Sequence, residues 1–296
     1  MSITRRIALQ ALAASVLAAN AGPSRASSDG SGILRQWYRV VLRLVRHTAT
    51  YSPPVASRAF AYLGVAAYQS VASGSTSLIS LEGQINGLNG LPRRDPAKQY
   101  DDAVITHCVM ATAVAAFFGN TGPTGQRVIA AAQKKLKGES LKGLPGPVID
   151  ASLAYGEALA AAIIEWSRHD GGAVIENMGF PMAYDLGTKP ANWTPTSVIR
   201  QQQLPLLPGW GNNRTFAMPN GASCPLPPPP SYSEDPASAF YAEAREVYET
   251  VKNLTPEQEA IARFWSDDPM LSPTPPGHWI SIALNILDEQ SASLDR

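Results

Sequence analysis

The sequence predicts an all-α fold, a bundle of about seven to eight helices with a long irregular arm rich in proline and aromatic residues. Three observations predict it. Apolar residues recur at spacings of three and four over several stretches, start and stop residues bracket those stretches, and no convincing alternating β-branched run occurs. Composition permits such a fold. Of 296 residues 45% are hydrophobic and 16% charged, which excludes wholesale disorder, and a chain this long buries a sizeable core without staples. The 24 basic and 24 acidic side chains balance, which excludes a strongly basic nucleic-acid binder. Cys108 and Cys224 are the two cysteines; they form neither a disulfide framework nor the paired spacing of a structural zinc site.

Residues 1–26 read as an export signal. Arg5 and Arg6 precede an Ala- and Leu-rich run from Ile7 to Ala21, and small-residue exits follow at Ala21 and Ala26. The adjacent arginines after Thr4 resemble a twin-arginine signal, so the protein is expected to be exported, periplasmic or secreted. Cutting after Ala26 removes three Arg and no acid, leaving 21 basic and 24 acidic groups, net −3. No run of about 20 strongly apolar residues follows, so no membrane span is expected in the mature chain.

Residues 27–172 read as an N-terminal helical bundle. Its first helix, Ile33 to Tyr51, places Leu34, Trp37, Val41, Leu44 and Thr48 on one face. Arg35, Arg39 and Arg43, with Arg46 nearby, mark another face. A solvated face is preferred for them over an anion- or membrane-facing stripe, although no matching acids lie close in sequence. A second helix starts at Pro53-Pro54, and its many alanines suit close helix packing. Asp95-Pro96 is expected to cap a third helix that runs to Phe118 and stops at Gly119. A fourth spans Pro123 to Lys137, ended by Gly138, with Lys134, Lys135 and Lys137 near the negative end of its dipole. A long Ala-rich helix from Pro147 to His169 is closed by Gly171-Gly172.

Residues 173–235 read as an extended arm. From Pro181 to Pro236 there are 12 prolines in 56 residues, together with Trp193, Trp210, Phe216 and Tyr232. A disordered linker would be richer in charge and poorer in aromatics, so the arm is expected to lay aromatics over the helical body. Residues 236–296 return to helix. One runs from Asp235-Pro236 to Asn253. Another is capped by Thr255, with Pro256 in its first turn and Gln258 completing a capping box, and ends near Phe264-Trp265. The last carries Ile280, Ala283, Leu284 and Leu287 on one face and continues to Arg296.

Candidate chemistry is sparse. His47, His107, His169 and His278 lie on separate segments, and no HExxH, nucleophile elbow or phosphate loop occurs. His107 beside Cys108 reads as a hydrogen-bonded core histidine. Asp101-Asp102 reads as surface charge. The densest cluster runs from Phe264 to Trp279, with Asp267, Asp268 and His278 among two Trp and several Pro and Gly. It reads either as a rigid pocket wall or as a stiff helix–helix connection.

Leu254-Thr255-Pro256-Glu257-Gln258, Ile261 through Pro269, and Thr274-Pro275-Pro276-Gly277-His278-Trp279 resemble the vanadium-dependent haloperoxidases, which share a superfamily with type-2 phosphatidic acid phosphatases. Asn192 through Thr196, Pro208-Gly209-Trp210-Gly211, Pro227 to Pro230, and the Trp37, Arg43, Tyr51, Pro53, Arg58 pattern are similar to the bacterial branch. The resemblance implies a helical bundle that binds vanadate, which activates peroxide to oxidise halide; in the phosphatases it implies phosphate and a histidine nucleophile. Such oxyanions demand clustered cationic and hydroxyl donors. The family supplies them from a Lys separated by six residues from Arg-Pro, from Ser-Gly-His, and from Ser-Arg followed by His after five residues.

None of the three occurs here. No Lys leads to Arg-Pro, Pro276-Gly277-His278 lacks the Ser, and neither Ser57-Arg58 nor Ser167-Arg168 is followed by the His. The resemblance is therefore to the N-terminal helical half of the family. It carries over no catalytic, cofactor-binding or metal residue, and vanadate is expected only in a complete member. It implies supporting roles for Asp268, which would pair with an arginine of the other half, and for His278 and Asp267 beside the pocket. The expected partner is a second chain, or self-association, covering an exposed apolar face. Alternatives are a non-catalytic exported binding or scaffold protein, a phosphatase completed by a second chain, and a new active site at Asp267, Asp268 and His278.

Overall fold

The computed structural model describes residues 30–173, 184–195, 204–268 and 270–290. The expected export signal, and the last six residues expected to extend the final helix, lie outside them. Among the described residues the regular structure is helical: α1 (Gly30–Arg46), α2 (Pro53–Ala72), α3 (Asp102–Phe117), α4 (Gly122–Ser140), α5 (Gly146–Arg168), α6 (Ala239–Lys252), α7 (Pro256–Trp265) and α8 (Thr274–Glu289), with a short 3₁₀ turn at Trp210–Asn212.

The core forms around α3, which packs against α1, α2, α4 and α5. Its sequence is apolar on every side, and ten of its 16 residues are buried. A helix apolar all round belongs at the centre of a bundle. The surrounding helices each offer one face. α1 buries Ile33, Trp37, Val41, Leu44 and Val45, and α5 buries Tyr155, Leu159, Ala160, Ile163 and Trp166. α5 comes close to α3 because Gly156 has no side chain. A Cβ there would lie 2.8 Å from Cys108 Cβ and 3.3 Å from the Ile105 carbonyl oxygen. By length and composition α5 could also cross a bilayer, a property that soluble core helices share.

Several boundaries differ from expectation: α1 ends at Arg46 rather than Tyr51 and α6 starts at Ala239 rather than Asp235, and three more have a visible cause. α3 is capped by Asp101, whose carboxylate accepts from Val104 N at 3.0 Å; Asp95 caps only a local turn, accepting from Ala97 N. The intervening segment is held differently: Tyr100 packs edge-on against Tyr155, and Asp101 N donates to Ser152 Oγ. α4 continues through Gly138 to Ser140, because a helical glycine only weakens a helix by about 1 kcal/mol. α8 starts at Thr274, with Pro275 and Pro276 in its first turn, so Gly277, His278 and Trp279 are helical.

The arginine face of α1 is largely solvated, as expected, with Arg39, Arg43 and Arg46 exposed, but three of its arginines also reach α8 and the turn before it. Arg39 pairs with Asp288, and Arg35 lies 3.6 Å from the same carboxylate while donating to Leu287 O at 3.3 Å. Arg46 Nε donates to Met270 O at 3.1 Å. The matching acid sits about 250 residues away in sequence, and the guanidinium groups also meet the negative end of α8. α8 packs on α1 and α2, with Gly277 admitting Leu42. Along the described arm, Phe216 packs on Tyr62 and Trp166, and Trp210 on the core, whereas Trp193 and Tyr232 remain exposed.

Candidate functional site

Two places concentrate polar groups. The first is the corner between α7 and α8, which holds the three residues singled out from sequence. His278 Nδ1 lies 3.1 and 3.2 Å from the two carboxylate oxygens of Asp267. Asp267 is nearly buried there, at 7% side-chain exposure. The imidazole stacks on Trp265 and meets Phe264 edge-on. This pairing orients the ring and leaves Nε2 as its remaining polar edge.

Asp268 does not join them. Its side chain is exposed, and its backbone carbonyl accepts from Leu271 N and Ser272 N. Asp267, Met270 and Thr274 all have positive φ. For residues other than glycine this left-handed backbone costs roughly 1–2 kcal/mol each. The strain bends the chain so that Asp267, on one side of the turn, reaches His278 on the other. A cleft of about 280 Å³ adjoins the corner, lined by Arg46, Tyr51, Asp267, Asp268 and Thr274 among others.

The second place was not singled out from sequence. Asp170, just past α5, is buried and accepts four hydrogen bonds: from Arg58 Nε at 2.6 Å, Arg58 Nη2 at 3.0 Å, Tyr62 OH at 2.9 Å and Gly172 N at 2.8 Å. Arg58 also donates to Ser167 O. Arg214, from the arm, donates to Tyr62 OH and Trp166 O and lies over the Trp166 ring. Burial first, and then the Asp170 charge, push the Tyr62 phenol up to about 12, so it stays protonated and donates. Beside the place of Arg58 in the family-like pattern, the signal available was electrostatic. An acid beside the C-terminal end of a helix opposes the dipole, which suggests a partner elsewhere.

Neither place fits an oxyanion. In the second, the resident Asp170 carboxylate already occupies the position between cations where a tetrahedral or bipyramidal anion would sit, and it takes up the Arg58 fork. Arg214 Nε is a buried donor without a partner among the described residues, and a single N–H is not a cradle. In the first, the cleft presents two carboxylates, Asp267 and Asp268, against one cation, Arg46, whose Nε already donates to Met270 O. Among the described residues no three His, Cys, Asp or Glu side chains gather as a metal site. His107 is a core residue, as its context predicts. Its Nδ1 accepts from Trp37 Nε1 at 3.4 Å, the rings stack, and burial, with a lesser contribution from Lys137, lowers it to about 4.

No protein-family model matches the chain, and no curated protein does. Among solved structures, one described as the crystal structure of the first bacterial vanadium-dependent iodoperoxidase matches with a TM-score of 0.74 and 29% sequence identity. The match covers 89% of this chain and 63% of that one, so the chain spans less than two thirds of the neighbour's length. Over that span, the chain has the all-α fold of the vanadium-dependent haloperoxidase superfamily.

Proposed function

We propose that this chain is the N-terminal helical portion of a vanadium-dependent haloperoxidase-like protein and holds no vanadate or phosphate by itself. Complete members couple peroxide to halide oxidation; this portion would supply the scaffold on which the anion-binding residues of such an enzyme are assembled. The observation that carries the reading is the combination of a superfamily fold with an interior Arg58 already neutralised by Asp170. An oxyanion site needs several unspent donors converging on one point. Arg58 is spent on Asp170 and Ser167, while Arg35, Arg39 and Arg46 are spent on α8 and the turn before it.

In this reading the α7–α8 corner supports a neighbouring site. Asp267 orients His278, and Asp268 remains available to a cation supplied from elsewhere. Calorimetric titration of the full chain with orthovanadate, and separately with phosphate, is expected to give no saturable heat at micromolar concentrations. Iodide oxidation by peroxide should be no faster with chain and vanadate together than with vanadate alone. Micromolar vanadate uptake, or halide turnover by this chain, would overturn the proposal.

A further inference from the structure

α6 and α7 are 14 and 10 residues long, and neither buries a single residue. Helices shorter than about 12–15 residues are marginal in water unless an apolar face packs against something. Both carry such a face. Val247 and Val251 stand four residues apart on α6, with Tyr248 beside them and Leu254 three residues on in the link to α7, all exposed. On α7, Ile261, Phe264 and Trp265 do the same, and Trp279 of α8 continues the surface 6.4 Å from the Trp265 ring. Phe264, Trp265 and Trp279 are 65, 52 and 63% exposed. Exposed apolar surface of this kind marks an interaction site.

The charge around it selects the occupant. From Glu234 to Asp268 there are nine acidic and three basic side chains, a net of −6. Two of the bases are satisfied within their own helices, Arg245 by Glu249 and Arg263 by Glu259, and Lys252 lies over the Tyr248 ring. Glu243, Glu246 and Glu257 have no described ion-pair partner and flank the apolar residues. A second copy would bring the same acidic surface against itself, and anionic lipid would meet like charge.

We propose that α6, α7 and the Trp279 end of α8 seat a basic amphipathic helical polypeptide, its apolar face on Val247, Val251, Ile261, Phe264 and Trp265 and its Lys or Arg flanks on Glu243, Glu246 and Glu257. This rests on the reading of the chain as a portion of a larger bundle and names the chemistry of what completes it. Helix-in-groove recognition by anchors at i, i+3, i+4 and i+7 is the matching mode.

The test uses the full chain and two synthetic 18-residue helical peptides with the same leucine pattern, one with Lys and one with Glu at the polar positions. The Lys peptide is expected to bind saturably by calorimetry and to weaken as salt rises. The Glu peptide should bind at least tenfold more weakly. Charge reversal by E243K, E246K and E257K together should weaken the Lys peptide at least tenfold while thermal unfolding of the α1–α5 core stays unchanged. If that variant unfolds, a photoreactive Lys peptide on the unaltered chain decides instead, with cross-links expected within residues 239–279. Equal binding of the two peptides, binding of neither, cross-links confined to other regions, dimerisation that excludes the peptide, or uptake onto phosphatidylglycerol vesicles would each overturn the proposal. Vanadate binding by the chain alone would refute the functional reading without touching this result, and failure of the Lys peptide would leave the vanadate titration standing.

Discussion

Acidification should destabilise this bundle through one buried imidazole. His107 is 3% exposed on α3, and its Nδ1 accepts the indole N–H of Trp37, so the proton of the neutral ring sits on Nε2. Burial lowers its pKa from 6.5 to about 4. The unfolded chain therefore binds a proton in the pH 4–6.5 window that the folded chain refuses, and stability must fall as pH drops through that window. From the two values, about 3 kcal/mol is lost by pH 4. That is a large share of the 5–15 kcal/mol typical of a domain.

Protonating Nδ1 would also set two N–H groups of Trp37 and His107 against each other. Urea unfolding at pH 7, 5.5 and 4, followed by tryptophan emission, measures the loss. Other groups titrate in the same range, so the informative quantity is the difference from His107→Gln, whose amide oxygen can accept from Trp37 but cannot titrate. The wild-type chain should lose about 3 kcal/mol more than the variant between pH 7 and 4. Parallel losses in the two proteins would refute the assignment of a neutral, buried His107.

Three further outcomes follow from particular contacts. Asp170→Asn should cost about 3–5 kcal/mol in chemical denaturation, because Arg58 is then buried without its counter-charge; a cost below 1 kcal/mol would contradict the buried network. Asp288→Ala should cost at most about 1 kcal/mol, since Arg39 and Asp288 are both substantially exposed, and the cost should shrink in 1 M salt, whereas a salt-independent loss would point to packing instead. A disulfide-exchange reagent at pH 8 should modify exposed Cys224 promptly but spare Cys108, which is buried and raised to about 11, until denaturant is added; two fast thiols in the native chain would count against the close packing of α3 on α5.

The amino-acid sequence alone was enough for the all-α class, for the capping box at Thr255 and Gln258, for the core placement of Trp37 and His107, and for the superfamily likeness. These are read from local spacing: a period near 3.6, a side chain three residues from a free N–H, and rare residue types in a fixed order around Phe264-Trp265 and Gly277-His278-Trp279. Local spacing was silent wherever the partner is distant. Nothing near Arg35 and Arg39 in sequence shows their partner because Asp288 lies some 250 residues on, and the Asp170 network stayed hidden because Arg58, Tyr62 and Arg214 come from two other segments. Local signals also competed. Asp95 and Asp101 both make acceptable caps, and the packing of Tyr100 on Tyr155, with Ser152 holding Asp101 N, selected the second. The α7–α8 corner divided in the same way: the residue types announced Asp267, Asp268 and His278 together, but only the positive-φ turn decided that Asp267 meets the imidazole and Asp268 faces solvent. Helix formation is governed by neighbours in sequence, whereas an ion pair or a buried carboxylate is governed by neighbours in space, and those exist only once the bundle has closed.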